Sequence, residues 1–163
     1  MKLLKLSFFS LLFLFVIASV LGMLLPSTVL VSRAVNVTAS KDSVMHYAKD
    51  IEQWKAWIDG MEQPSVKILS STHADLAGTK VDITGISDST VISSWTSKKG
   101  NTQTSTIRVI GDSTQKITVV QWQFEQKLKW YPWERLGSMM NDKILGTMME
   151  KNLNSLKSLV EKK

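Results

Sequence analysis

The sequence predicts an α+β fold in which an antiparallel sheet of six to seven strands is followed by one long C-terminal helix and preceded by a helix of transmembrane length. Three observations predict it. Residues 6–25 carry no charge, and residues 66–126 run in short Thr-, Val-, Ile- and Ser-rich blocks parted by turn signals. Residues 132–161 carry an apolar stripe at helical spacing.

The N-terminal segment opens with Lys2 and Lys5, and Leu6 to Leu25 then form an unbroken apolar run. Twenty residues of helix rise about 30 Å, the thickness of a bilayer's hydrocarbon core. The flanking lysines favour a cytoplasmic N-terminus, with everything after Pro26 on the far side, periplasmic if the source is bacterial. A cleaved signal peptide is the competing reading, with Ala18-Ser19-Val20 as an imperfect processing site. Residues 1–26 are therefore expected to be an anchor or signal, and residues 27–163 one domain. Roughly 135 residues suffice for a single buried core.

Thr28 to Thr38 alternates well enough for a first strand, and Ser40 is a good helix N-cap with Asp42 in the first turn. Val44, Tyr47, Ala48, Ile51, Trp54 and Trp57 recur at steps of three and four, which predicts one or two short helices ended by Gly60 and Pro64. Strands are expected near Lys67–Thr72, Lys80–Ile86, Thr90–Thr96, Gln103–Ile110 and Gln115–Gln126. The last is the clearest, because Val120, Trp122 and Phe124 alternate with Gln121, Gln123 and Glu125. Pro132 suits the first turn of the final helix, which runs to about Glu161. Its second half carries a stripe at Leu145, Met149, Leu153, Leu156 and Val160. In its first half the apolar face is rotated, at Trp133, Leu136, Met140, Ile144 and Met148. Such a helix can seal a core with one end and roof something else with the other.

Composition narrows the chemistry. After Leu25 the chain holds 18 basic against all 14 acidic residues, a dispersed net of +4 without the aromatic-interleaved stripe of a nucleic-acid binder. The absence of cysteine excludes disulfides, thiolate metal sites and a cysteine nucleophile. His46 and His73 fall in different elements without metal-ligand spacing, so neither a metal nor a cofactor is expected. Asp82, Arg108, Glu125 and Glu134 read as exposed charges. Ser93-Ser94 and Asp88-Ser89-Thr90 have no histidine nearby in sequence, and no glycine pattern cradles phosphate. No catalytic residue is assigned.

Val29 to Thr38 with Ala39-Ser40-Lys41-Asp42, the helix Asp50-Ile51-Glu52-Gln53-Trp54-Lys55-Ala56-Trp57, the strand Val119-Val120-Gln121-Trp122 and the stretch Met148-Met149-Glu150-Lys151-Asn152-Leu153-Asn154-Ser155-Leu156-Lys157 occur in a telling order. Over residues 28–161 this order resembles the SRPBCC superfamily, the START-like or polyketide cyclase and lipid-transport helix-grip domains. The resemblance implies a sheet wrapped around the final helix and an apolar cavity for a lipid or hydrophobic small molecule. It carries no shared catalytic motif.

Trp54, Trp57, Trp95, Val120, Trp122, Phe124, Leu136, Met140, Ile144 and Met148 are the candidates to line such a cavity, since ligand sites are mostly apolar and aromatic and methionine repacks around varied shapes. Plain core packing is the competing reading for Trp54, Trp57, Trp122 and the methionines. Trp130, Tyr131 and Trp133 suit either a bilayer interface or a hydrophobic staple. The expected function is membrane-tethered binding of a hydrophobic small molecule or lipid, with residues 6–25 in the bilayer and no catalysis. A polyketide cyclase or dehydratase-like enzyme and a non-catalytic envelope interaction module are the alternatives.

Overall fold

Side chains alternate across a strand, so every second residue of β1 (Thr28–Val37) and β7 (Thr118–Lys127) is committed to one face. The computed structural model describes residues 2–24, 26–111, 117–129 and 131–162. After α1 (Lys2–Leu24) and β1 come α2 (Lys41–Ala48) and α3 (Ile51–Trp54). The strands β2 (Val66–Ile68), β3 (His73–Leu76), β4 (Thr79–Ile86), β5 (Thr90–Thr96) and β6 (Thr102–Ile110) follow, then β7 and α4 (Pro132–Glu161). All seven strands join one antiparallel sheet in the order β1-β7-β6-β5-β4-β3-β2. The consecutive strands form a meander, and the first strand closes it by pairing with the last.

Register turns the strand sequences into rows across the face under α4. Val29, Gln126, Gln103, Trp95 and Val81 make one row, Val31, Phe124, Ser105 and Ser93 the next, and Arg33, Trp122, Ile107 and Val91 a third. The helix seals the far rows with Met149, Leu153, Leu156 and Val160, all buried. Upstream on the same helix, Ile144 and Trp133 stay 68% and 61% exposed, so the first half leaves the first row partly uncovered.

α2 begins as the sequence predicts, with the Ser40 hydroxyl accepting the Ser43 amide and Asp42 in the first turn. Asp50 caps α3 in the same way through Glu52. Of the strand expected at Lys67–Thr72 only Lys67 and Ile68 are strand, in β2; residues 69–72 turn the chain into β3, a strand not expected from the sequence. Leu69 and Ser70 donate their amides to the His73 carbonyl, and the Ser70 hydroxyl accepts from the Thr72 amide. Hydroxyl side chains that bond nearby backbone compete with the ladder, and Ser70 does so here. Residues 115 and 116, expected to open β7, lie outside the described residues.

From Lys5 to Leu24 the side chains of α1 are exposed almost throughout, and this stretch is long and apolar enough to cross a membrane. At its end, the Arg135 guanidinium of α4 donates to the Gly22 carbonyl at 2.8 Å, satisfying one of the free carbonyls at a helix C-terminus.

Candidate functional site

Five aromatic side chains form a closed ring of edge and stacking contacts beneath the helices. Trp54 stacks on Trp95 with centroids 6.0 Å apart, Trp95 meets Phe124 at 5.3 Å and Phe124 meets Trp122 at 5.4 Å. Trp122 meets Trp57 at 5.5 Å, and Trp57 returns to Trp54 at 6.4 Å. The four indoles each find a hydrogen-bond acceptor. Trp54 and Trp57 donate to the Ala48 and Tyr47 carbonyls, and Trp95 and Trp122 donate to the hydroxyls of Ser93 and Ser105. Those two serines are buried on the face that the helix covers. A small side chain there leaves room for an indole and supplies the oxygen its N–H requires once out of water.

The ring fills the middle of the fold, and an apolar-lined space lies beside it under α4 around Ile144, Leu145 and Met148, apart from the more polar open grooves along Lys151 and Ser155. Val29, Val31, Gln103, Phe124, Gln126, Ile144, Leu145 and Met148 line a partly open cleft of about 200 Å³. Continuous with it through Gln103, Phe124, Gln126, Leu145 and Met148 is a space of about 360 Å³ that reaches Trp95, Ser97 and Asn101. A third, partly open space of about 180 Å³ adjoins these at Trp95 and Met148 and is bordered by Trp122, Asn152, Asp59, Gly60 and Met61. Met148 borders all three. The two outer spaces are lined by apolar and uncharged polar side chains, among them Gln103, whose amide donates to Gln126 at 3.0 Å.

Charges flank this space. Arg33, on the helix-facing side of β1, donates through Nε to Glu150 at 2.7 Å and lies 3.4 Å from Asp142, both on α4. The Glu150 hydrogen bond raises the pKa of the guanidinium. Its approach needs Gly146, where an added Cβ would stand 2.1 Å from Arg33 Nη2. Beside the third space Asp59 is held twice: its exposed carboxylate accepts from Lys151 at 2.6 Å, and its amide donates to Asn152 Oδ1 at 3.0 Å. The Lys151 hydrogen bond holds the Asp59 carboxyl below its ordinary value. Among the described residues no three acidic or histidine side chains gather as a metal site.

Of the residues the sequence nominates, Trp95, Phe124, Ile144 and Met148 line the outer cleft and Trp122 its inner end. Trp54 and Val120 are buried in the core, and Trp57 borders an open surface groove that shares Ile58, Asp59 and Met61 with the third space. The side chains of Leu136 and Met140 lie outside the described residues, as does Trp130. Sequence reasoning missed Val29, Val31, Gln103, Gln126, Leu145 and Asn152 as lining residues. The signal was present in part: Gln126 shares the strand phase of Trp122 and Phe124, and Asn152 interrupts the apolar stripe between Met149 and Leu156.

No family model matches the sequence, and no curated protein sequence does either. Solved structures do match in shape. A START superfamily protein from Mycobacterium smegmatis superposes with a TM-score of 0.58 at 17% identity, over 82% of this chain and 97% of that one. The helix-grip fold is START-like. The di-domain ARO/CYC StfQ from the steffimycin biosynthetic pathway gives 0.60 at 12% identity, over 83% of this chain and 51% of its own length. The di-domain BexL from the BE-7585A pathway gives 0.61 at 11%, over 83% and 50%. This chain therefore spans about half of each di-domain protein, and identities this low show a common SRPBCC-like fold alone.

Proposed function

We propose that this protein is a membrane-tethered binding module that takes an apolar small molecule or lipid into the cleft between α4 and the sheet. The observation that carries the reading is the apolar, partly open space under the first half of α4, bordered by Val29, Val31, Phe124, Leu145 and Met148. Pockets for apolar ligands have this character, with a few polar groups set in a hydrophobic wall. Among the described residues no titratable side chain lines the two outer spaces, which favours binding over acid-base chemistry there.

The position of the mouth supports the tether. Val29 lines it and stands five residues after Leu24, the last residue of α1, a distance of at most about 17 Å in extended chain. With α1 in the bilayer, Lys2 and Lys5 on the cytoplasmic side and the sheet opposite, the cleft opens toward the lipid surface.

A paired methyl measurement tests this. Ile144 at the mouth and Ile110 at the other end of β6 are both exposed, and eight strand steps from Thr102 to Ile110 separate the two ends by about 26 Å. In nanodiscs of the full chain, a spin label on the lipid headgroups should broaden the Ile144 δ-methyl signal and spare that of Ile110. Equal broadening, or broadening of Ile110 alone, contradicts the proposed orientation.

A further inference from the structure

Among the described residues two buried side-chain polar atoms lack a hydrogen-bond partner, Ser97 Oγ and Asn152 Nδ2, and both residues border the cleft system. Asn152 is fully buried on α4. Its orientation is fixed by chemistry, because Oδ1 accepts the Asp59 amide and only oxygen can do so; Nδ2 is therefore the atom left unmet. A buried N–H without an acceptor costs free energy that an apolar side chain of the same size would not, and such groups are few in folded proteins. The position is also anomalous in sequence, since Met149, Leu153 and Leu156 around it are buried and apolar. Every indole N–H of the aromatic ring is already satisfied, so the ring offers a ligand faces and edges without a free donor.

We infer that the Asn152 amide is the polar reading point of the cleft, donating from Nδ2 to an acceptor oxygen on the occupant, so that the ligand is an amphiphile with a carbonyl or similar oxygen at its leading end. This rests on the binding reading above and narrows it from any hydrocarbon to an oxygen-bearing one. The occupant enters past Ile144 and Leu145, its apolar body lies against Phe124 and Trp95, and its oxygen reaches the inner space. Met148, one helical turn before Asn152 on the same face and a border of every space, is the cover that moves. Its unbranched thioether side chain changes rotamer at little cost, and 42% of it is exposed.

The test uses 1-tetralone and tetralin, one bicyclic skeleton with and without a carbonyl oxygen. Affinities are read from the 13C-methyl shift of Met148 in nanodiscs of the full chain. Wild type should bind tetralone at least about tenfold more tightly than tetralin, the size of effect expected when a buried unmet donor gains an acceptor. Asn152→Leu should lose that preference while keeping its affinity for tetralin, which also shows that the cleft is intact. Should Asn152→Leu unfold for want of the Asp59 partner, Asn152→Asp at pH 9 keeps that acceptor and sets a second acceptor where the donor stood, and it should disfavour tetralone. Binding of both probes by wild type without preference, or a preference that survives both substitutions, overturns the inference and leaves the cleft reading standing. Failure of wild type to bind either probe removes both.

Discussion

Trp122 shows how much the fold asks of single side chains. Its indole touches Trp57 and Phe124, lies within 1% of full burial and donates to Ser105 at 2.8 Å. Trp122→Ala removes the ring's keystone and leaves the Ser105 hydroxyl buried without its partner, so it should lower unfolding stability by about 3–5 kcal/mol in denaturant titration. Trp95 is only half-buried, at the junction of ring and cleft. Trp95→Ala should therefore cost less, about 1–3 kcal/mol, because part of its surface already meets solvent. The same change widens the cleft, so ligand preference should move toward bulkier molecules. Equal losses at the two positions would mean that Trp95 is core and the cleft does not reach it.

The helix α4 is held over β1 by a contact that spans the apolar and the charged. Gly146 lacks the side chain that would strike Arg33, and Arg33 in turn reaches Glu150 and Asp142 on the same helix. Glycine inside a helix costs about 1 kcal/mol relative to alanine, and a partly exposed ion pair returns about 0–1 kcal/mol. Gly146→Ala alone should then leave stability within about 1 kcal/mol of wild type, because the propensity gain offsets the displaced guanidinium. In an Arg33→Ala background the same substitution should stabilise by about 1 kcal/mol. Thermal melts of the four proteins decide it, and an identical effect in both backgrounds would show that the close approach does not matter.

This element also marks where sequence reading stops. The alternation in β7 and the apolar stripe of α4 are local patterns, so the strand, the helix and their buried faces were legible. Arg33 shares the strand phase of Val31 and Val35, but its meeting with Asp142 and Glu150 joins residues more than 100 positions apart and leaves no local trace. The early end of the strand expected at 67–72 had a local cause, in the Ser70 hydroxyl, but the β-rich composition around it masked the turn. The aromatic cavity candidates divided for a related reason: a tryptophan is equally at home in a core and in a pocket wall. Only the packing of α3 and α4 on the sheet separates Trp54 and Val120, fully buried, from Phe124 and Trp95, beside the opening.

At the scale of the molecule, two features tie the outer pieces to the sheet. The space beside Asn152 is bordered by the Asp59 turn, pinned to α4 through Lys151 and Asn152. Because the folded Asp59 carboxyl lies below its ordinary value of 3.8, its contribution is fully present above that pH and is lost as the pH falls through the lowered folded value. Asp59→Asn should be less stable than wild type at pH 7, with the gap in melting temperature closing in acid; a gap independent of pH contradicts this. At the opposite end the Arg135 to Gly22 hydrogen bond joins the start of α4 to the end of α1, bringing an apolar helix, the chain entering β1 and the cleft mouth together. The central claim is that this cleft holds an apolar molecule. Native mass spectrometry of the full chain released from membranes tests it most directly, with Leu145→Trp, which fills the space under α4, measured alongside. Wild type should carry a bound apolar molecule that Leu145→Trp lacks; a ligand-free wild type, or the same molecule retained by the filled variant, would contradict the account.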